Sequence, residues 1–490
     1  MNKSLYILAL FLTTISCKAQ QQDSKSNNTD KPNIVFILAD DCTHWDIGAY
    51  GSKDAITPNI DKLANEGVKF NRCYQAAPMC SPTRHNIYTG LYPVKSGAYP
   101  NHAFAKEGTK SVVHYLEPLG YRVALSGKRH INPKESFPFE YLDEEKNINF
   151  NNVEKFLGEV KSSKEPFALM LCSNEPHGPW NKGDASKYNP NKITLPPHYV
   201  DNIETRKAYC SYLAEINYLD DQVGKTMDLL KKYNFDDNTL VVFASEQGNS
   251  FPFAKWTTYE AGVKSALIAH MPSKIKGGKE SDAIVEYTDL VPTFIEMAGG
   301  EPIATLDGKS LVPIFKNPKK DNKDYAYSLQ TTRGIIAGAD YYAIRSVVGK
   351  DYRYIWNITP EAEFLNVVNN ADTNGKKWFR SWEEAAKTDK RAEELLYKYK
   401  KRPKEELYHV KNDKWCIANL AEDPKYAEVK NELRTELLAW MEACGDEGQA
   451  TEMDALNHKS STLKKGKGKK NKGDKKSKKK GKKGKKKKSE

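Results

Sequence analysis

One apolar run, NIVFILADD at residues 33–41, constrains the fold of this chain more than any other feature. A continuous apolar run that ends in carboxylates is typical of a parallel strand buried on both faces. Similar runs recur along the chain, and helical patterns such as that of residues 208–233 lie between them. The other strand-like runs are YRVALSG (121–127), FALMLCS (167–173), TLVVFASE (239–246) and SALIAHM (265–271). We therefore predict an α/β fold with a mostly parallel central sheet flanked by helices.

The pattern changes after about residue 325. The chain has 490 residues, which suits two domains or one large domain and a smaller one. Residues 341–358 have the pattern of an antiparallel hairpin, and residues 427–444 have that of a closing helix. We predict a catalytic domain over residues 32–325 and a smaller C-terminal α+β subdomain, built on an antiparallel sheet, over residues 326–446.

The N-terminus has the pattern of an export signal. Lys3 precedes an apolar run that is too short to span a bilayer, and small or polar residues follow it. We predict a signal peptide over residues 1–17 and a linker over residues 18–31. Two types of signal-peptide cleavage stay open. A bacterial lipoprotein-type cleavage would leave a lipidated Cys17 as a membrane tether, and cleavage near residue 19 would release a soluble protein. Either alternative predicts an exported bacterial protein in the periplasm or at the cell surface.

The net charge of +12 belongs to the C-terminal end of the chain. Residues 461–490 contain 17 Lys against Asp474 and Glu490, which leaves a net charge of −3 for the remaining residues. The basicity therefore does not indicate a nucleic-acid partner for the folded part. We predict a disordered Lys-rich tail over residues 459–490, because it has no apolar residue after Leu463. The tail is either a solubilising extension or a contact for polyanions such as acidic polysaccharide or the cell surface.

Two predicted strands end in oxygen-bearing side chains. Asp40 and Asp41 follow the first strand, and Glu246 and Gln247 follow the strand that begins near residue 239. An isolated carboxylate at a strand end is ordinary polar capping, but two adjacent carboxylates repel each other unless a positive charge lies between them. Hard divalent cations such as Ca²⁺ and Mg²⁺ take oxygen ligands. These four residues are therefore a candidate metal shell.

The stretch APMCSPTRHNIYTG, residues 77–90, contains a cysteine close to a proline and an arginine. Pro82 suits the first turn of a helix, which would place Cys80 near the positive end of the helix dipole. The alternative is a buried, inert cysteine, since the eight cysteines are sparse and no pair has metal-ligand spacing. Arg84, one turn on, can hold an oxyanion or orient residue 80. A soft thiolate is a poor partner for a hard cation, which favours a modified side chain at residue 80.

The stretch CSPTRHNIYTG resembles the Cys-x-Pro-x-Arg signature of the type I sulfatases, in the alkaline-phosphatase-like superfamily. The segments GYRVALSGKRHI, NEPHGPW and SFPFAKWTTYEAGVKSALIAHMP are similar to other family blocks, in the same order. The segments TPNIDKLANEGVKF and EELYHVKNDKWCIANLAEDP also resemble family segments, so the resemblance covers about residues 31–445. It implies an alkaline-phosphatase-like fold, a sulfuric ester hydrolase and, as a partner, a maturation enzyme that converts Cys80 to formylglycine (3-oxoalanine).

The resemblance also implies roles for the site residues. The metal shell would consist of Asp40, Asp41, hydrated Cys80, Glu246 and Gln247, with one divalent cation, Ca²⁺ favoured over Mg²⁺. Lys128, His177 and Lys255 would hold sulfate oxygens. His177 would protonate the leaving oxygen, His130 would take a proton from the second hydroxyl of residue 80, and Arg84 would orient that residue.

The chain departs from the family pattern in three places. Glu246-Gln247 stands where an Asp-Asn or Asp-His pair is usual, which keeps oxygen donors and adds one methylene to each side chain. Tyr88 occupies an apolar position of the signature, and Arg129 stands where an aromatic residue is usual. The first departure bears on the choice and affinity of the metal rather than on whether the site exists.

The substrate is predicted only by class. An exported bacterial enzyme of this kind suggests a sulfated polysaccharide or its oligosaccharides, such as algal ulvan. Trp180, Trp256, Tyr99 and His102 lie near the motifs and would either line a sugar subsite or serve as packing residues. Two alternatives stay open: a phosphonate or phosphate monoester hydrolase of the same superfamily, and an inactive protein that binds sulfated glycans.

Overall fold

The computed structural model describes residues 31–370 and 377–459. The predicted signal peptide, Cys17, all but one residue of the linker and all but one residue of the Lys-rich tail lie outside the described residues, so those assignments stay predictions. Within the described ranges, no helix has both the length and the apolar character that crossing a membrane requires. The seven described cysteines are free thiols.

The larger of two sheets forms the centre of the molecule. Its strands are β1 (Asn33–Ala39), β2 (Val68–Tyr74), β3 (Arg122–Gly127), β4 (Glu140–Tyr141), β5 (Phe167–Cys172), β6 (Thr239–Ser245), β7 (Lys264–His270), β8 (Lys279–Ser281) and β9 (Val285–Glu286). They lie in the order β4-β3-β5-β1-β6-β7-β2-β8, and β9 also pairs with β2. Only β7 runs antiparallel to its neighbours, β6 and β2. The predicted mostly parallel central sheet is confirmed.

Helices cover both faces of this sheet. They are α1 (Pro58–Glu66), α2 (Cys80–Thr89), α3 (Pro93–Ser96), α4 (Val112–Leu116), α5 (Phe150–Ser163), α6 (Ile203–Lys232), α7 (Glu260–Val263), α8 (Leu290–Met297) and α9 (Val312–Lys316). The side chains of β1 alternate between two cores: Val35 and Ile37 pack on the side of α5 and α6, whereas Phe36 and Leu38 pack on the side of α4 and α8. Every residue of β1 is buried, which is why its sequence reads as one unbroken apolar run.

A second, antiparallel sheet comes later in the chain. It consists of β10 (Ala326–Gln330), β11 (Ile344–Val348), β12 (Tyr352–Asn357) and β13 (Glu405–His409), in chain order. Its region also contains α10 (Lys377–Ala385), α11 (Lys390–Lys400), α12 (Ala427–Cys444) and α13 (Gln449–Asp454). The predicted antiparallel C-terminal sheet is confirmed, with the hairpin between β11 and β12 and the closing helix as α12. The domain bounds themselves stay predictions, because polar contacts such as that of Tyr259 Oη with Glu406 Oε2 (2.8 Å) join the two parts.

A buried ion pair attaches the end of α12 to the second sheet. Arg345 on β11 donates to Asp446, just after α12, through two guanidinium nitrogens, one of them at 2.9 Å from Asp446 Oδ1. Both side chains are inaccessible to solvent. Burial works against ionisation of Asp446, but the charge and hydrogen bonds of Arg345 hold its pKa below the usual value. Loss of this carboxylate would leave an uncompensated guanidinium in the core.

We predict that Asp446→Asn lowers the free energy of unfolding by about 3–5 kcal/mol at neutral pH, because Arg345 stays buried and unpaired. Since the folded-state pKa of Asp446 lies below its unfolded value, the stabilisation is present above about pH 4 and is lost as the pH falls further. The difference between wild type and variant should therefore narrow in acid. Urea unfolding at several pH values measures this.

The matched control is Glu384→Gln, which removes one partner of the exposed Lys387–Glu384 pair. It should change stability by less than about 0.5 kcal/mol. Equal effects of the two substitutions at neutral pH would contradict the account of the buried pair.

Candidate active site

The site lies at the carboxyl ends of four adjacent strands, where parallel α/β sheets commonly carry their chemistry. In the register of the sheet, Ala39 at the end of β1 pairs with Ser245 at the end of β6, and Leu38 pairs with Cys172 at the end of β5. The next residues, Asp40 and Glu246, therefore leave the sheet side by side, and Glu246 N donates to Ala39 O at 2.9 Å. Lys128 follows β3 at the same edge of the sheet.

Three carboxylates converge at this edge. Asp40, Asp41 and Glu246 are buried, and each offers an oxygen within 4.8 Å of the others. Asp41 has a φ of 60°, in the left-handed region that costs a non-glycine residue energy and that is often found at functional sites. After Gln247 the chain turns at Gly248, where a Cβ would lie 1.9 Å from the carbonyl oxygen of Ala261, so only glycine fits there.

The positive charges that offset these carboxylates come from three other segments. Lys128 donates to Asp40 Oδ2, and Arg84 Nη2 lies 3.6 Å from the same oxygen. Lys255 Nζ lies 2.6 Å and 2.8 Å from the two oxygens of Asp41. Arg84 also pairs with Glu246 through Nε, and both side chains are fully buried. Three carboxylates and three cations thus balance within the protein itself.

The ionisation of the two strand-end carboxylates differs. Burial works to raise the pKa of Asp40, but the charges of Lys128, His177 and Arg84 outweigh it and hold that pKa well below the usual range. Burial raises the pKa of Glu246 well above its usual range. The charge of Arg84 opposes this rise, whereas the charge of the neighbouring Asp40 adds to it. A cation bound among these oxygens would therefore contact an ionised Asp40 and would favour the ionised form of Glu246.

Three side-chain oxygen atoms at the site lack hydrogen-bond partners among the described residues and are of the kind that a hard cation binds. Asp40 Oδ1, Glu246 Oε2 and Gln247 Oε1 are buried and have no hydrogen-bond partner among the described residues. Gln247 Nε2 donates to Asp41 Oδ1 at 2.5 Å, which turns its carbonyl oxygen away from that contact. Buried polar atoms are normally satisfied, so three unsatisfied acceptors close together fit a hard cation.

Cys80 is the first residue of α2, so its side chain lies at the positive end of that helix, as the sequence predicts. It is 4% exposed, and its Sγ lies 4.0 Å from Asn101 Oδ1. Burial opposes the charged form of Lys255, but the charges of Asp41 and Cys80 raise the pKa of Lys255 above its ordinary value. Cys80 therefore lies within electrostatic range of the lysine that contacts Asp41.

Two histidines face the site from different loops. His177 Nδ1 lies 2.7 Å from Gly178 O, and its Nε2 lies 3.8 Å from Asp41 Oδ2. Burial, only partly opposed by Asp41, lowers the pKa of His177. His130 Nε2 lies 2.8 Å from His102 Nδ1, while His130 Nδ1 is buried without a hydrogen-bond partner among the described residues. Burial and the charge of Lys128 lower the pKa of His130 to about 3, so its imidazole is neutral.

The structure therefore brings the predicted residues to one edge of the sheet. Direct contacts join Asp40, Asp41, Glu246, Gln247, Arg84, Lys128, Lys255 and His177. The side-chain contacts of Cys80 and His130 are instead with Asn101 and His102, which are neighbours in the chain. Their catalytic roles stay predictions. Arg84 differs from the expectation in its contacts, which are with the two carboxylates and with Lys128 O (2.6 Å).

The four aromatic or imidazole residues near the motifs differ in their exposure to solvent. Tyr99 and Trp256 are buried, and Trp180 stacks on Phe251 with ring centroids 5.2 Å apart. His102 alone of the four is exposed. Sequence reasoning missed Asn101, because a single polar residue in a loop carries no periodic or motif signal, although it adjoins His102 in the chain.

Comparison with known proteins identifies the family to which this chain belongs. A family model described as sulfatase matches residues 32–300, and one described as N-sulphoglucosamine sulphohydrolase, C-terminal, matches residues 248–370. The chain is 30% identical over 454 residues to an ulvan-active sulfatase of Formosa agariphila, covering 88% of this chain and 85% of that protein.

Solved structures share the fold. One is of a protein in complex with its substrate D-glucosamine-2-N,6-O-disulfate (TM-score 0.66, 20% identity, 85% of this chain and 99% of that chain). Another is the phosphonate monoester hydrolase of Agrobacterium radiobacter (TM-score 0.64, 16% identity, 84% of this chain and 96% of that chain). These likenesses confirm the alkaline-phosphatase-like fold. Together with the matched model and the relative, they lead to one conclusion: the chain belongs to the sulfatase family and is a sulfuric ester hydrolase.

Proposed function

We propose that this sulfatase removes sulfate from a sulfated polysaccharide or its oligosaccharides, with residue 80 as formylglycine and one divalent cation, Ca²⁺ in preference to Mg²⁺. The observation that carries the proposal is the convergence of three buried carboxylates, two lysines and His177 at the strand ends beside the start of α2. Maturation of Cys80 by a formylglycine-generating enzyme is part of the proposal, since the residue begins as a cysteine.

Asp40, Asp41, Glu246, Gln247 and residue 80 would hold the cation. Three buried acceptors without hydrogen-bond partners among the described residues support this assignment. When bound, the cation supplies charge neutralisation of sulfate oxygens and a lowered pKa for a hydroxyl that it binds. Ca²⁺ suits the longer side chains of Glu246 and Gln247, because it accepts six to eight oxygens at about 2.3–2.6 Å in flexible geometry, whereas Mg²⁺ demands a tighter octahedron.

As a hydrated aldehyde, residue 80 would supply one hydroxyl as the nucleophile, and deprotonation of the second would re-form the aldehyde C=O while the C–O bond to sulfate breaks. His130 is the base for the second hydroxyl, because its Nδ1 has no hydrogen-bond partner in the described part of the chain and its imidazole is neutral. The bond between His130 Nε2 and His102 Nδ1 holds the ring, and if Nε2 is the donor then Nδ1 is the bare acceptor. The proton from residue 80 then goes to His130 Nδ1.

His177 is the acid that protonates the leaving alcohol oxygen. Its Nδ1–H donates to Gly178 O, so the exchangeable proton is the one on Nε2, the atom that faces Asp41. Its lowered pKa makes this proton easy to transfer. Lys128 and Lys255 would hold sulfate oxygens while their present partners, Asp40 and Asp41, keep them charged and in place.

The charge of the site does not by itself choose between substrate classes. Asp40, Asp41 and Glu246 face Arg84, Lys128 and Lys255. A bound dication and an ionised nucleophile would leave one net positive charge, and the protonated imidazole of His177 would add a second, so the count suits a sulfate ester and a phosphate monoester dianion alike. A phosphonate monoester carries the same charge as a sulfate ester, so this alternative is decided by assay.

The substrate class rests on the relatives. The relative at 30% identity is named an ulvan-active sulfatase, and a structural neighbour is bound to a sulfated glucosamine. We propose ulvan or its oligosaccharides as the first polymer to test. Export to the periplasm or cell surface, with a lipidated Cys17 as a membrane tether, is the matching location for an enzyme that acts on an extracellular polymer.

The central test uses the full chain co-produced with a formylglycine-generating enzyme. We expect the peptide over residues 73–84 to lose about 18 Da. We expect kcat/KM for an aryl sulfate to exceed that for the matching aryl phosphate and aryl phosphonate monoester by at least about a hundredfold. A preference for the phosphonate would make this a phosphonate hydrolase. Absence of turnover in protein that carries formylglycine, with retained glycan binding, would make it a binding protein.

We predict that His177→Gln lowers kcat by about 10²–10⁴-fold for an alkyl sulfate, because a poor leaving group needs protonation. For para-nitrophenyl sulfate, whose leaving group is stable as an anion, the loss should be less than about tenfold. The control is His270→Gln, at the end of β7 and outside the site, which should change neither rate. Equal losses for the two substrates would contradict the role of His177 as the acid.

We predict that Ca²⁺ added to chelator-treated protein raises Tm by about 3 °C at a concentration near a hundredfold above Kd, since ligand binding to the folded state stabilises it. Asp40→Asn should abolish this rise. The control is Asp289→Asn, a buried carboxylate paired with Lys323 at 2.9 Å in another part of the chain, which should keep it. An equal rise with Mg²⁺, or a rise that persists in Asp40→Asn, would contradict the assignment.

A further inference from the structure

A buried arginine lies between α11 and β13, where the chain packs against the loop after β12. Arg402 is 3% exposed, and its guanidinium carbon lies 4.3 Å from the ring centroid of Phe364 and 4.7 Å from that of Tyr259. A backbone bond from Phe364 N to Lys400 O, at 2.9 Å, holds the two segments together. The two rings stabilise the positive charge by cation–π contact, but they offer no conventional hydrogen-bond acceptor to the N–H groups.

The N–H groups of this guanidinium have no acceptor in the described part of the protein. Nε, Nη1 and Nη2 of Arg402 are all buried, and none of the three has a hydrogen-bond partner among the described residues. A guanidinium carries five N–H donors and stays ionised in proteins. A buried charge without a contact partner is costly, and buried polar groups are normally satisfied. We therefore expect an acceptor from outside the protein at this guanidinium.

The carboxylate whose charge acts on Arg402 is bound by other donors. Glu406 Oε2 accepts from Tyr259 Oη at 2.8 Å and from Tyr408 Oη at 2.5 Å, and its Oε1 accepts from Asn357 Nδ2 at 2.7 Å. Burial opposes the charged form of Arg402, but the charges of Tyr259 and Glu406 hold its pKa above the ordinary value. Glu406 thus favours the guanidinium charge from a distance and supplies no hydrogen bond to it.

A second buried donor lies within electrostatic range of Arg402. Tyr342 is inaccessible to solvent, and its Oη has no hydrogen-bond partner among the described residues. Burial raises the pKa of Tyr342, and the charge of Arg402 opposes that rise. The ring of Tyr342 packs on Phe364 with centroids 5.4 Å apart, and Phe364 also contacts the guanidinium. A phenolic hydroxyl normally finds a partner when it is buried, so two side chains in this region lack an acceptor.

We propose that Arg402 and Tyr342 bind a small inorganic anion, chloride, in the protein interior beside the second sheet. A water molecule would accept from the guanidinium but leave its charge without a counter-ion in contact, whereas an anion supplies both the acceptor and the charge. Chloride suits two donors enclosed by aromatic rings, because a tetrahedral oxyanion needs more room and more donors. None of these residues belongs to the predicted active site, so the inference is independent of the proposed function.

Anomalous diffraction from crystals of the full chain soaked in sodium bromide tests the site directly. Bromide is the probe because it replaces chloride and gives an anomalous signal that water does not give. We expect a bromide peak within hydrogen-bonding reach of the Arg402 guanidinium and the Tyr342 hydroxyl. Density for water alone at this place, or bromide peaks confined to the protein surface, would overturn the proposal.

Thermal unfolding in mixtures of sodium chloride and sodium gluconate tests the site in solution. At constant ionic strength, each tenfold increase in chloride above its Kd should raise Tm by about 1.5 °C, since the anion binds the folded state. Arg402→Gln should abolish this dependence. The control is Arg345→Gln, at a buried arginine whose partner is Asp446, which should lower Tm in both salts and keep the chloride dependence. Equal chloride dependence in wild type and Arg402→Gln would contradict the assignment.

A milder variant decides the question if Arg402→Gln does not fold. Tyr342→Phe removes one hydroxyl, and we expect it to raise the Kd for chloride about tenfold, because one hydrogen bond to the anion is lost. In gluconate its Tm should equal or exceed that of the wild type, since an unpartnered buried hydroxyl has been removed. An unchanged Kd, or a Tm that falls equally in both salts, would count against Tyr342 as an anion ligand and overturn the proposal.

Discussion

Mutual repulsion among three buried carboxylates is the constraint on which the rest of this structure depends. The parallel pairing of β1 with β6 places Asp40 next to Glu246, and the left-handed backbone at Asp41 adds a third negative charge. Such charges are tolerated in a protein interior only when they are paired. The loop after β3, the loop before α7 and the helix α2 each deliver one cation to them. The packing of this sheet edge therefore depends on the cations that neutralise its carboxylates.

Arg84 links this balance to residue 80. It lies one helical turn after Cys80 on α2, and its guanidinium is held by Glu246 and Asp40. A helix is stiff over one turn, so the ion pairs that hold Arg84 also fix where the N-terminus of α2 and residue 80 stand. In the proposed mechanism, Arg84 would act through the helix as a positioning residue for residue 80.

Parts of the chain far apart in sequence support the loop beside Cys80 and His130. This loop, residues 97–106, brings Asn101 and His102 to Cys80 and His130, and residues 449–459 lie against it from more than three hundred residues away. The buried pair of Arg345 and Asp446 attaches the chain before residue 449 to the second sheet. The second sheet therefore supports the loop that contacts Cys80 and His130, although it contributes none of the predicted site residues.

The sequence by itself determined the α/β architecture, the antiparallel C-terminal sheet, the family and the set of candidate site residues, because unbroken apolar runs and short ordered motifs are local properties of the chain. Strand β2 was missed, since its alternating, partly polar residues lack such a run. Only the tertiary structure decided which cation meets which carboxylate, and that Asn101 and His102 adjoin Cys80 and His130. These are contacts between residues far apart in the chain, and they depend on strand order and loop packing, which no local pattern encodes.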